Sequence, residues 1–185
     1  MMEFSICDIP DAIQKRMVDR SVWTDECPVD IKHLKLIELS HYNFDYEICS
    51  GQMVVLDSLS KNVLNLFQEL FSVKFPIHSV KLIDEFDGDD KLSMSANNSS
   101  CFNFRNIENT NIISMHSYGA AIDVNPIQNP YIIIDDNASS CDVFPREAVR
   151  FLNRNNQRVG MVEPIVKIFA KYGFSQWGGV IGIRQ

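Results

Sequence analysis

Residues Leu34 to Pro76 read LKLIELSHYNFDYEICSGQMVVLDSLSKNVLNLFQELFSVKFP. Two apolar runs, Leu34–Leu39 and Gln52–Leu56, have the length and aliphatic content of short strands on either side of a turn between Asn43 and Gly51. Asp57 or Ser58 then offers a side-chain oxygen to the free amides of a helix start. Val63, Leu66, Phe67, Leu70 and Phe71 follow at helical spacing and share one stripe. Phe75-Pro76 ends that helix, because proline disfavours the helical conformation in the residue before it. Strand, strand and amphipathic helix in this order predict an α+β domain: a small antiparallel sheet flanked by helices.

The segments outside this core fit the same class. Val80–Asp84 reads as a strand and Asp87-Gly88-Asp89-Asp90 as a turn. Cys101–Ile107 alternates, with Phe102 and Phe104 on one face and Asn103 and Arg105 on the other. Ala121–Asn125 also alternates: Ala121, Asp123 and Asn125 share a face, Ile122 and Val124 enter the core, and Asn125-Pro126 closes the strand. Val162, Ile165, Val166, Phe169 and Tyr172 form a second helical stripe, with Pro164 in its first turn and Gly173 as its stop. No repeat or low-complexity linker divides the 185 residues, so a single domain is expected.

Composition narrows the partners. An apolar fraction of 45% with 22% charged residues is that of a globular chain able to bury a core. A net charge of -7 argues against nucleic acid or an anionic membrane surface, both of which reward clustered Lys and Arg. No run approaches the roughly 18 apolar residues of a membrane span. Glu3, Asp8 and Asp11 stand where a signal peptide would be basic and then apolar, so the chain as written reads as cytoplasmic. Cys7, Cys27, Cys49, Cys101 and Cys141 are scattered, with no CxxC pair, and read as free thiols. The Asn-x-Ser matches at Asn97, Asn98 and Asn137 read as chance or turn chemistry.

The chemistry concentrates in Ser114-Met115-His116-Ser117-Tyr118-Gly119-Ala120-Ala121-Ile122-Asp123. An imidazole and a carboxylate seven residues apart, separated by small residues, leave room for an ion and a substrate. A strand ending near His116, a tight Ser117–Gly119 connection and a strand carrying Asp123 would aim both side chains into one cleft. From spacing alone, a metal site and a hydrogen-bonded histidine with a turn aspartate both remain open.

The pattern Ser114-x-His116-x-x-Gly119-x-Ala121-x-Asp123 resembles the zinc-ligand motif of the peptidoglycan peptidases grouped with D-alanyl-D-alanine carboxypeptidases, the VanY and VanX types and the L-alanyl-D-glutamate endolysins. Gly51–Val55, the helix running to Phe75-Pro76-Ile77, Ser93–Arg105, Ile122–Pro126 with Asn129-Pro130-Tyr131, and Phe174–Gly179 with Trp177 are similar to the endolysin-like branch, in the family's order. The likeness covers roughly residues 28 to 179. It implies a VanY/VanX-type (hedgehog-like) zinc peptidase fold over residues 28–185, behind an N-terminal extension of residues 1–27. It also implies Zn2+ as cofactor, His116 and Asp123 as metal ligands, and Arg105 on the substrate or the polarised carbonyl. Ser114 would touch substrate or orient the ligand loop, and Trp177 would line the cleft. The implied partner is a peptidoglycan stem peptide or muropeptide, a substrate of the cell envelope.

In that family an acidic residue, two further residues and a histidine follow Trp-Gly-Gly, as general base and third ligand. Here the sequence reads Trp177-Gly178-Gly179-Val180-Ile181-Gly182-Ile183-Arg184-Gln185, which lacks both, so the expectation is a domain without its C-terminal end and with impaired activity. His33, His41 and His78 are read as ordinary surface or core histidines and Glu163 as a helix-start carboxylate, none replacing the missing pair. A wall-peptide-binding protein without catalysis, or a gene remnant, is the alternative reading.

Overall fold

The computed structural model describes residues 2–108, 110–134 and 141–176. Strand β1 (Phe4–Asp8), β2 (Leu34–Tyr42) and β3 (Ile48–Leu56) form an antiparallel sheet in that order, with Phe4 opposite Leu39 and Leu36 opposite Val54. Helix α1 (Asp11–Asp19) follows β1, and α2 (Asp57–Ser72) follows β3 directly. Short parallel β4 (Ser79–Val80) and β5 (Asn98–Ser99) bracket α3 (Asp90–Ser95). The antiparallel pair β6 (Tyr131–Ile134) and β7 (Cys141–Phe144) and helix α4 (Val166–Lys171) complete an α+β domain.

Both faces of the sheet are covered, which is why β2 buries apolar residues on both, Leu34 and Leu36 on one face and Ile37 and Leu39 on the other. Ile37, Leu39, Met53 and Val55 pack on the Val63, Leu66, Phe67 and Leu70 stripe of α2. Leu34, Leu36 and Val54 face the other way, against Ile9, Ile13 and Met17 around α1. Each such fully buried large side chain contributes about 1.5–3 kcal/mol. Residues 1–27 therefore include a sheet strand and a helix of the second core layer.

Several elements differ from the sequence expectations. β2 and β3 extend past Leu39 and start before Gln52, because Asn43 Oδ1 accepts from the amides of Asp45 and Glu47 and closes the turn tightly, at 2.9 Å each. Leu56, not Asp57 or Ser58, is the α2 cap, and no side chain caps it; Asp57 sits in the first turn, where its charge suits the helix dipole. Val80–Asp84 is a strand only to Val80, then Ile83–Phe86 forms a 3-10 turn. Asp87 and Gly88 take left-handed conformations there, and Asp89 caps α3 by accepting from Lys91 and Leu92 amides. The second helical stripe is split into a 3-10 turn, Glu163–Ile165, and α4, with Gly173 at φ +98° after it.

Cys101–Ile107 is extended and alternating without being a strand. Phe102 N–H donates to Val54 O, Asn103 N–H to His116 O and Phe104 N–H to Val22 O, three different neighbours instead of one ladder. Ala121–Asn125 contributes one antiparallel bridge, Ser100 to Asp123. Val124 is buried and Ile122 packs on the core as the alternation implies, but Asn125 is fully buried too, its Nδ2 donating to Pro76 O and Gly160 O. Trp177–Gly179 and Asn137 lie outside the described residues.

Candidate functional site

His116 does not end a strand. It lies in a 3-10 turn, Met115–Tyr118, opened by Ser114 and closed by Gly119 at φ +63°. Ser114 is buried, and its Oγ accepts from the His116 amide at 3.3 Å, so it fixes the start of the turn that carries His116. Gly119 is required where it stands: a Cβ there would come within 2.6 Å of Leu56 N and 3.0 Å of Val55 C. The Leu56 amide donates to Gly119 O at 3.0 Å, which ties the turn to the junction of β3 and α2.

This turn delivers His116 to Asp123. His116 Nε2 stands 3.3 Å from Asp123 Oδ2. On its other side Nδ1 lies 2.6 Å from Cys101 O. A carbonyl can only accept, so Nδ1 carries the proton and Nε2 faces the carboxylate. Burial alone would lower the His116 pKa, but the charge of Asp123 and its hydrogen bond outweigh that, and the imidazole titrates above its ordinary value. Burial works against the Asp123 carboxylate as well; His116 and then Arg105 overcome it and hold it below the ordinary range.

Arg105 reaches the same place from the extended segment. Its Nη2 pairs with Asp90 Oδ2 at 3.0 Å, and its buried Nε has no partner among the described residues. Its backbone is locked to the His116 turn by Ser117, fully buried, whose Oγ accepts from Arg105 N at 2.9 Å and donates to Arg105 O at 2.8 Å. Burial raises the Asp90 pKa, opposed by the Arg105 charge and reinforced by Asp123. The four residues singled out in the sequence, Arg105, Ser114, His116 and Asp123, thus fall in one neighbourhood. Asp90, Ser117 and the Cys101 carbonyl were not foreseen: Asp90 was masked by an acidic turn, Ser117 by its smallness, and a backbone acceptor leaves no mark in sequence.

His41 is buried in β2, and Glu163 is paired with Arg154, Oε1 to Nε at 2.5 Å. Cys7, Cys27, Cys49, Cys101 and Cys141 are free thiols. No helix among the described residues is long and apolar enough to cross a membrane.

Residues 108–180 match the sequence model of a D-alanyl-D-alanine carboxypeptidase family. That match supports the VanY-like peptidase family. It takes in Ser114, His116 and Asp123, while Arg105 and Asp90 lie upstream of it. No curated protein and no solved structure matches the chain. The family points to a peptidoglycan-related peptidase.

Zinc is the metal such peptidases use, and the donor pair fits it. Two atoms each about 2.05 Å from a tetrahedral zinc lie about 3.3 Å apart. That is the separation of Nε2 and Oδ2. A ligating histidine typically donates its second N–H to an acceptor, as His116 does to Cys101 O. Among the described residues no group of three His, Cys, Asp or Glu side chains surrounds one point.

Proposed function

We propose that this protein is a zinc-dependent peptidase of peptidoglycan stem peptides, of the D-Ala-D-Ala carboxypeptidase or L-Ala-D-Glu endopeptidase type. The observation that carries the reading is the His116–Asp123 pair, with its donors 3.3 Å apart inside the family match. His116 and Asp123 would hold the metal. Bound zinc supplies Lewis acidity toward a peptide carbonyl.

The other residues prepare the site for that chemistry. Ser114 and Gly119 fix the turn that carries His116, and the Cys101 carbonyl fixes its tautomer. Arg105 brings a permanent positive charge with planar donors, suited to a carbonyl oxygen or a terminal carboxylate of the stem. Asp123's side chain is 36% exposed against 12% for His116, so a peptide can approach the pair from the carboxylate side.

The test is to incubate the full-length protein with a muramyl pentapeptide and read the products by mass spectrometry. Loss of the terminal D-Ala, or scission between L-Ala and D-Glu, is expected; a chelator should abolish it and added zinc restore it. Peptide binding with no cleavage in excess zinc would overturn the peptidase reading in favour of a wall-peptide-binding protein.

A further inference from the structure

Asp90 has no part in the readings above, yet it is the charged partner that Arg105 faces. It lies in the first turn of α3, whose start is fixed by Asp89 accepting from the Lys91 and Leu92 amides at 2.8 and 3.0 Å. Lys91 Nζ reaches Glu108 Oε1 at 3.0 Å, a second tie between α3 and the segment carrying Arg105. Asp90 Oδ2 holds Arg105 Nη2 at 3.0 Å, with Asn103 Nδ2 3.5 Å from Oδ1. Both side chains are mostly covered, 27% and 21% exposed for Arg105 and Asp90, so the pair is shielded more than a surface ion pair. Ser117 fixes the Arg105 backbone, and the guanidinium is held by Asp90 at 3.0 Å and, more loosely, by Nη1 donating to Asn106 O at 3.5 Å.

We propose that Asp90 is a positioning residue: it pins the Arg105 guanidinium through Nη2 so that its positive charge stays beside the His116–Asp123 pair, where a substrate would meet it. The inference rests on the peptidase reading for its consequence, though not for the contact itself. Arginine has many rotamers, and a donor that must meet a developing charge gains from being held before substrate arrives. Without Asp90 the guanidinium would sample solvent or swing toward Asp123, where it would compete for the carboxylate.

The test uses the full-length protein carrying Asp90→Asn, Asp90→Glu, Arg105→Ala and the Asp90→Asn/Arg105→Ala double substitution. Stem-peptide kinetics and zinc content are measured together with side-chain NMR of 15N-arginine. The expected result is a loss of about 10- to 100-fold in kcat/KM for Asp90→Asn with zinc content unchanged, the scale typical of a partner that orients a functional group. Asp90→Glu should recover part of it, and the double variant should be no worse than Arg105→Ala. The Arg105 Nε–H signal should be sharp in the wild type and averaged in Asp90→Asn. Wild-type kinetics for Asp90→Asn, or losses that simply add, would overturn the proposal. If the wild type itself cleaves nothing, the peptidase reading fails. An Arg105 signal unchanged by Asp90→Asn then overturns the positioning role as well, and an averaged one upholds it.

Discussion

Gly119 closes the His116 turn against Leu56: its carbonyl accepts the Leu56 amide at 3.0 Å, and a side chain on it would strike that same nitrogen at 2.6 Å. The contact links the candidate metal centre to the point where β3 becomes α2, so the motif glycine is a packing requirement as much as a turn residue. Gly119→Ala should destabilise the protein by at least about 2 kcal/mol, from the left-handed backbone and the clash with β3 together. Urea denaturation measures it, and a loss under about 0.5 kcal/mol, the range of an ordinary surface change, would contradict the close approach.

Ser117 offers a second check on how the site is assembled. Its hydroxyl bonds to both the amide and the carbonyl of Arg105 in a fully buried position. Ser117→Ala leaves the Arg105 amide without its acceptor and should cost about 1–3 kcal/mol in chemical denaturation. Peptide turnover should fall with it, since the Arg105 segment is no longer pinned to the His116 turn.

His41 predicts an acid-side loss of stability. Burial depresses its pKa and the nearby His78 adds to this, against smaller opposing hydrogen bonds at Tyr42 and Ile77. The folded pKa lies below the unfolded value of about 6.5, so the unfolded chain binds the proton more readily. The contribution is fully present above the unfolded pKa and declines as pH falls through the window between the two values. His116, with its pKa raised, has the opposite sign in chelated protein: its contribution is present below the unfolded pKa and lost as pH rises through the folded one. Urea midpoints from pH 8 to pH 5, compared between wild type and His41→Gln in chelator, isolate the first effect. The variant should lose less stability on acidification; parallel profiles would show that His41 titrates normally.

The helix and sheet were legible wherever one face alone meets the core. The α2 stripe of Val63, Leu66, Phe67 and Leu70 was readable because those four side chains pack on the sheet while Lys61, Asn62 and Gln68 stay in solvent. The full length of β2 and β3 was not, because Ser40 and His41 are buried polar residues and Ile48 is an exposed apolar one. Cys101–Ile107 shows the deeper limit: its alternation is real, with Phe102 buried and Phe104 packed beside it, but partners drawn from three separate segments never make it a strand. Alternation reports which way side chains point and says nothing of who bonds the backbone.

The site divides in the same way. His116 and Asp123 were legible as a pair because they stand seven positions apart with small residues, Gly119 among them, in between. The Asp90–Arg105 contact spans two elements that are unconnected in sequence. Asp90 read as turn chemistry beside Asp87, Gly88 and Asp89, since only the fold brings α3 alongside Arg105.

The most direct test of the account is the zinc content of the full-length protein after dialysis against buffered zinc, for wild type, His116→Ala, Asp123→Ala and Glu163→Gln. Wild-type protein is expected to retain up to one zinc per chain, kept in Glu163→Gln and lost in both His116→Ala and Asp123→Ala while their folded content is unchanged. Wild-type protein that leaves dialysis free of zinc, or ligand variants that keep the metal, would contradict it.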